Sequence, residues 1–138
     1  MTLFAARLSR LSLHAALLAA SVLIGTAQIR ADENDAVETE YLDYHRGIYA
    51  AVMCEGAGLE QKGVGDPNAQ QLTAAHEKLA QAISASIGDE ISAGRRLELI
   101  EQAKTEIRDL KKQKGCDDPE IKRVLDIYHT ELEPALAQ

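Results

Sequence analysis

The chain has 138 residues, with 15 Lys and Arg against 22 Asp and Glu, a formal net charge of −7 and only 4% aromatic residues. That length holds one domain, and the absence of Trp together with a single Phe leaves no stacking platform for single-stranded nucleic acid. The acidic balance argues against a surface built to neutralise phosphates, and two cysteines allow one disulfide but no all-cysteine zinc site.

Residues 1–31 have the order of a secretory signal. Arg7 and Arg10 give a basic start, Leu11 to Ile24 form an apolar run, and Gly25, Thr26 and Ala27 are small. This charged, apolar, small-residue sequence predicts cleavage after Ala27 or after Ala31. The apolar run is about 14 residues long, short of the roughly 20 needed to span a bilayer, so no stable membrane insertion is expected after cleavage. Loss of residues 1–31 removes three arginines and leaves 12 basic against 22 acidic residues, a charge of −10 on 107 residues. The expected mature domain, residues 32–138, is therefore strongly acidic.

Asp32 to Glu40 carries so many like charges that fraying into solvent is expected before the first helix settles. From Val37, apolar and aromatic residues recur at spacings of three and four (Leu42, His45, Tyr49, Val52), which predicts a helix weakened at Gly56 and Gly58. Gly63, Gly65, Asp66 and Pro67 mark a loop, with Asp66 as expected cap of a second helix. That helix carries Leu72, His76, Leu79 and Ile83 on one face and stops at Gly88. A third helix spans about Ser92 to Lys114, with Leu97, Ile100, Ala103, Ile107 and Leu110 expected inside and Gly115 as its end. Lys111, Lys112 and Lys114 complement the negative end of its dipole. The fourth helix opens at Asp118-Pro119-Glu120, presents Ile121, Val124, Leu125, Tyr128 and Leu132, and is expected to close at Pro134. No stretch has the alternation of a strand. The fold class expected is all-α, an antiparallel, up-down-up-down four-helix bundle.

Cys54 lies near the end of the first helix and Cys116 just past the end of the third. In an up-down-up-down order both reach the same pole. An exported chain with only these two cysteines is expected to join them in a structural disulfide, since neither has the Cys-x-x-Cys setting of a redox-active thiol.

His45, His76 and His129 sit on or beside the apolar stripes of their helices, at depths within about one helical turn of each other by helical rise. Three imidazoles in one layer could hold Zn²⁺ or Cu²⁺, with Asp126 or a glutamate of the third helix as a further ligand. The plainer reading is half-buried packing, because no Glu-x-x-His, His-Glu-x-x-His or haem-attachment pattern accompanies them. The tyrosines Tyr41, Tyr44, Tyr49 and Tyr128 read as packing, and Arg95-Arg96 and the late lysines as solvated faces. No nucleophile elbow is present, and Ser84, Ser86 and Ser92 have no histidine near them in sequence. These features predict a periplasmic or secreted, non-enzymatic helical domain that binds a protein or another cationic partner through its acidic surface, and no nucleic acid. Two alternatives are a metal- or cofactor-binding bundle using His45, His76 and His129, and a pH-responsive, chaperone-like periplasmic protein whose histidines charge in acid.

Overall fold

The structure, a computed structural model, describes residues 34–60 and 67–138. The candidate signal segment with both cleavage sites, the start of the acidic leader, and Gly63, Gly65 and Asp66 lie outside the described residues. The chain divides into two compact units, Met1–Asp35 and Ala36–Gln138, and the account below concerns the second.

Every regular element among the described residues is helical. Helix α1 covers residues 34–50 and runs into a π-helical turn, Ala51–Glu55, which Gly56 ends at φ 70°. Tyr41, Tyr44 and Ala51 join one core cluster, while Ala50 joins a second with Ile107, Ile121 and Val124. The helix is thus enclosed on more than one side. Gly47 permits this, because a Cβ there would lie 2.6 Å from the Val124 carbonyl oxygen and 3.2 Å from the Tyr128 Cβ.

The acidic leader does not fray where it is described. The helix already exists at residue 34, and its acids have partners. Glu38 accepts from Arg95 Nε and Nη2 at 2.9 and 2.7 Å, and Glu40 accepts from Ser86 Oγ at 2.7 Å. Counting like charges along the sequence missed these partners, which come from distant positions.

Helix α2, Ala69–Ile87, buries Leu72, Leu79, Ile83 and Ile87. Its N-cap is Asn68, two residues beyond the expected Asp66, so Pro67 precedes the helix instead of opening it. Helix α3, Ala93–Lys114, is capped by Ser92, whose Oγ accepts from the Arg95 amide, and its last turn holds Lys111, Lys112 and Lys114. Its buried face is Leu99, Ala103 and Ile107. Leu97, expected inside, is 67% exposed: it stands two positions from Leu99, about 200° around a helix, and so faces the opposite way.

Helix α4, Pro119–Ile127, starts as expected, with the Asp118 side chain accepting from the Glu120 amide at 2.9 Å and Ile121 and Val124 buried. It does not stop at Pro134. A π-helical turn, Tyr128–Leu132, leads into a last helical turn, α5, Glu133–Leu136, with Pro134 in its first turn. The π turn interrupts the regular ladder just ahead of the proline, where a missing N–H leaves no α-helical bond unmade.

The disulfide forms between Cys54 and Cys116, with a Cα–Cα distance of 5.7 Å and a sequence separation of 62. It ties the end of α1 to the residue after the α3 cap. Helix α3 packs on α4, and α2 packs on the Tyr128–Leu136 stretch, while Leu79, Ile83 and Ile87 of α2 share one buried core cluster with Leu99 and Ala103 of α3. Among the described residues no helix is long and apolar enough to cross a membrane.

Candidate functional site

Helices α1, α2 and α3 together line a groove of about 800 Å³, within the range of small-molecule sites. Helix α1 forms its floor through Tyr41, His45, Ile48, Tyr49 and Val52, positions that share one face at spacings of three and four. One wall is His76, Leu79, Ala80 and Ile83 of α2, and the other is Arg96, Ile100 and Lys104 of α3, each four residues from the next.

Polar groups are few and unequal in state. The His45 ring lies 4.6 Å from the Tyr41 ring, centroid to centroid. Its Nε2 is buried without a hydrogen-bond partner, and burial pushes its pKa down from 6.5 to about 4, so it is neutral at pH 7. His76 Nε2 lies 2.7 Å from the Leu59 carbonyl oxygen. A carbonyl only accepts, so this nitrogen carries a proton and donates it, tying α2 to the chain that leaves α1. Arg96 is pinned at the other end: Nε donates to Ile91 O at 2.9 Å, Nη2 donates to Gly88 O at 2.6 Å, and the guanidinium stands 5.8 Å from the Tyr41 ring centroid.

His129 is placed elsewhere. It lines a small cleft beside the disulfide with Cys54, Cys116, Lys122 and Asp126. Its Nδ1 is 2.6 Å from Glu133 and its Nε2 2.9 Å from Glu55. Both ring nitrogens face acceptors, so the imidazolium is favoured, and the hydrogen bonds it donates to Glu133 and then to Glu55 raise its pKa. The reason is local. Tyr128 turns inward and is buried, and the next side chain points about 100° away from it. The structure therefore brings His45 and His76 to one groove and leaves His129 and Asp126 at another. Among the described residues no group of three or more His, Cys, Asp or Glu side chains is placed to hold a metal ion.

Two polar clusters escaped the sequence reading. Tyr44 is buried, but its hydroxyl lies 2.8 Å from Glu131, 3.0 Å from Glu40 and 3.0 Å from Ser86, which makes it a polar hub as well as packing. Asp43 accepts from Arg123 at 2.8 Å and from Arg46 at 3.0 Å, and Arg46 also reaches Glu106. Burial pushes Asp43 upward, but the bonds from Arg123 and Arg46 outweigh it and hold the carboxyl below its ordinary range. The Glu40 to Tyr44 spacing of four was a visible signal, whereas the long-range partners were not.

Compared with models of protein families, with curated proteins and with solved structures, the chain matches none. The groove has to be read on its own chemistry. Its middle is aliphatic and aromatic with polar side chains toward the ends, its central histidine is uncharged, and His45 Nε2 is without a hydrogen-bond partner. That arrangement suits holding an apolar molecule rather than moving a proton.

Proposed function

We propose that this protein is an exported, non-enzymatic binding domain whose site is the groove between α2 and α3, and that it takes up a small molecule with a large apolar part. The observation that carries this reading is the groove itself, about 800 Å³ in volume, with Leu79 and Ile83 of α2 and Ile100 of α3 along its sides and α1 as its floor. The chain course that goes with the reading is an up-down-up-down bundle whose first three helices line the groove. The bridge from the end of α1 to the end of α3 supports that order. Export is supported by the signal-like segment and by the disulfide, a bond of oxidising compartments.

Titration of the full chain with the apolar fluorophore N-phenylnaphthylamine tests the site. Saturable binding of one fluorophore per chain is expected. Ala80→Trp, which places an indole in the groove from an exposed helical position, should weaken binding at least about tenfold while circular dichroism stays unchanged. Equal binding by the folded variant, or no saturation in the parent, would remove the groove as the site.

A further inference from the structure

The charges along the groove are not balanced, and their positions distinguish its two ends. Ser84 and Arg96 stand near the 88–92 link, since Arg96 reaches the Gly88 and Ile91 carbonyls there. His76 and Lys104 lie eight residues away from that end on their respective helices, about 12 Å by helical rise. On α1 the lining runs from Tyr41 to Met53, about 18 Å by the same measure. The groove is therefore long and narrow, with an aliphatic middle made by Ile48, Leu79 and Ile100.

Of the nitrogen-bearing side chains on its walls, Arg96 is held by two carbonyls and lies 3.8 Å from Asp89, while His76 is held by Leu59 O. Lys104 is exposed, and its side chain forms no ion pair or hydrogen bond among the described residues. A partner was at hand, because Glu101 precedes it by one helical turn. Glu101 instead faces Tyr49, whose pKa burial raises and the Glu101 charge raises further. The chain carries seven more acidic than basic residues, so a cation left unpaired at the mouth of an apolar groove runs against its general charge. Among the described residues Glu60 is the one acid in the lining, and it opposes an anion at the same end.

We propose that the groove takes a free single-chain amphiphile with an anionic head, a long-chain carboxylate, its chain lying between Leu79 and Ile100 and its head at Lys104. This rests on the groove being the binding site. The alkyl chain lies in the groove along Ile48, Leu79 and Ile100, and the carboxylate accepts from the Lys104 ammonium at the solvent edge. His45 is neutral, so it sets no charge against the chain midway. The ion pair is exposed and screened by salt, so chain burial supplies most of the affinity and Lys104 supplies the choice of head.

The test compares four probes on the full chain by calorimetry at pH 7, below micelle formation: dodecanoate, dodecanol, dodecyltrimethylammonium and acetate. Dodecanoate should bind one per chain, about fivefold tighter than dodecanol and more so than the cation, while acetate should not bind. Lys104→Glu should weaken dodecanoate about tenfold and leave dodecanol unchanged. Glu60→Gln should strengthen dodecanoate about twofold to threefold. Equal binding of dodecanoate and dodecanol by the parent chain would overturn the anionic head and leave the groove standing as a site. If no C12 probe saturates, the site itself fails with it. Binding of anionic phospholipid vesicles without binding of monomeric dodecanoate would likewise sink the proposal, since it points to a membrane surface.

Discussion

At Gly47 the missing side chain is itself a contact. The Val124 carbonyl oxygen occupies the space a Cβ would take, at 2.6 Å, and it is backbone, so it cannot swing away. Gly47→Ala sets two effects against each other. Alanine gains up to about 1 kcal/mol in helix propensity, while forcing α1 from α4 costs about 1–3 kcal/mol by overpacking. The steric cost wins, because Val124 and Ile121 behind it are fully buried and have no room to yield. The variant should lose about 1–2 kcal/mol in a urea titration, and a variant as stable as the parent would show that α1 and α4 do not pack so closely. Nothing in the sequence marked this glycine, since a close approach involves a partner 77 positions away. By contrast Gly56, Gly88 and Gly115 were legible as stops, and all three adopt positive φ.

For whole elements, spacing gave the helices and their faces where the apolar residues were spaced unambiguously. The α2 face of Leu72, Leu79 and Ile83 and the α4 face of Ile121 and Val124 are buried as expected. Helix α3 has leucines at 97 and 99, and the spacing of Leu97 to Ile100 and Ala103 pointed to Leu97 as the inward one. The contacts of Leu99 decide for one and leave Leu97 in water. Leu97→Gln should therefore change stability by less than about 0.5 kcal/mol, whereas Leu99→Ala should cost about 3 kcal/mol. Comparable losses at the two positions, measured by denaturant unfolding, would mean that the helix sits a different way round. The misread ends share one cause. A helix already formed at residue 34, a cap at Asn68 and a helix continuing past Pro134 all depend on what neighbouring elements offer the backbone, and local propensity carries no record of that. The groove was illegible for the same reason. His45 and His76 could be seen to lie on apolar faces, but which faces come to line one groove depends on partners far apart in the chain.

In the whole molecule, two histidines impose opposite pH dependences. His45 has its folded pKa depressed to about 4 from 6.5 by burial, so the unfolded chain binds its proton first. Its contribution is complete above pH 6.5 and is lost as pH falls toward 4, on the order of 3 kcal/mol in all. Tyr41 and Tyr49 on α1, His76 on α2, Arg96 and Lys104 on α3, and Glu60 share the groove with it. Only Glu60 among them could answer an imidazolium, and it is exposed. His129 behaves in reverse. Its folded pKa is raised by Glu133 and Glu55, so its clamp between the end of α1 and α5 is fully present below pH 6.5 and is lost as pH climbs through the raised value. The clamp is solvent-exposed and screened, so its effect is the smaller. Stability should therefore be greatest at and just above pH 6.5 and fall more steeply on the acid side. His45→Phe should flatten the decline between pH 6.5 and 4, relative to the parent, in denaturant titrations taken at each pH. His129→Ala should flatten only the alkaline limb. A parent whose acid limb keeps its slope after His45→Phe would assign that slope to the ion-paired carboxylates Asp43, Glu38 and Glu120, whose pKa values are held low by arginines and which lose their pairs at lower pH still.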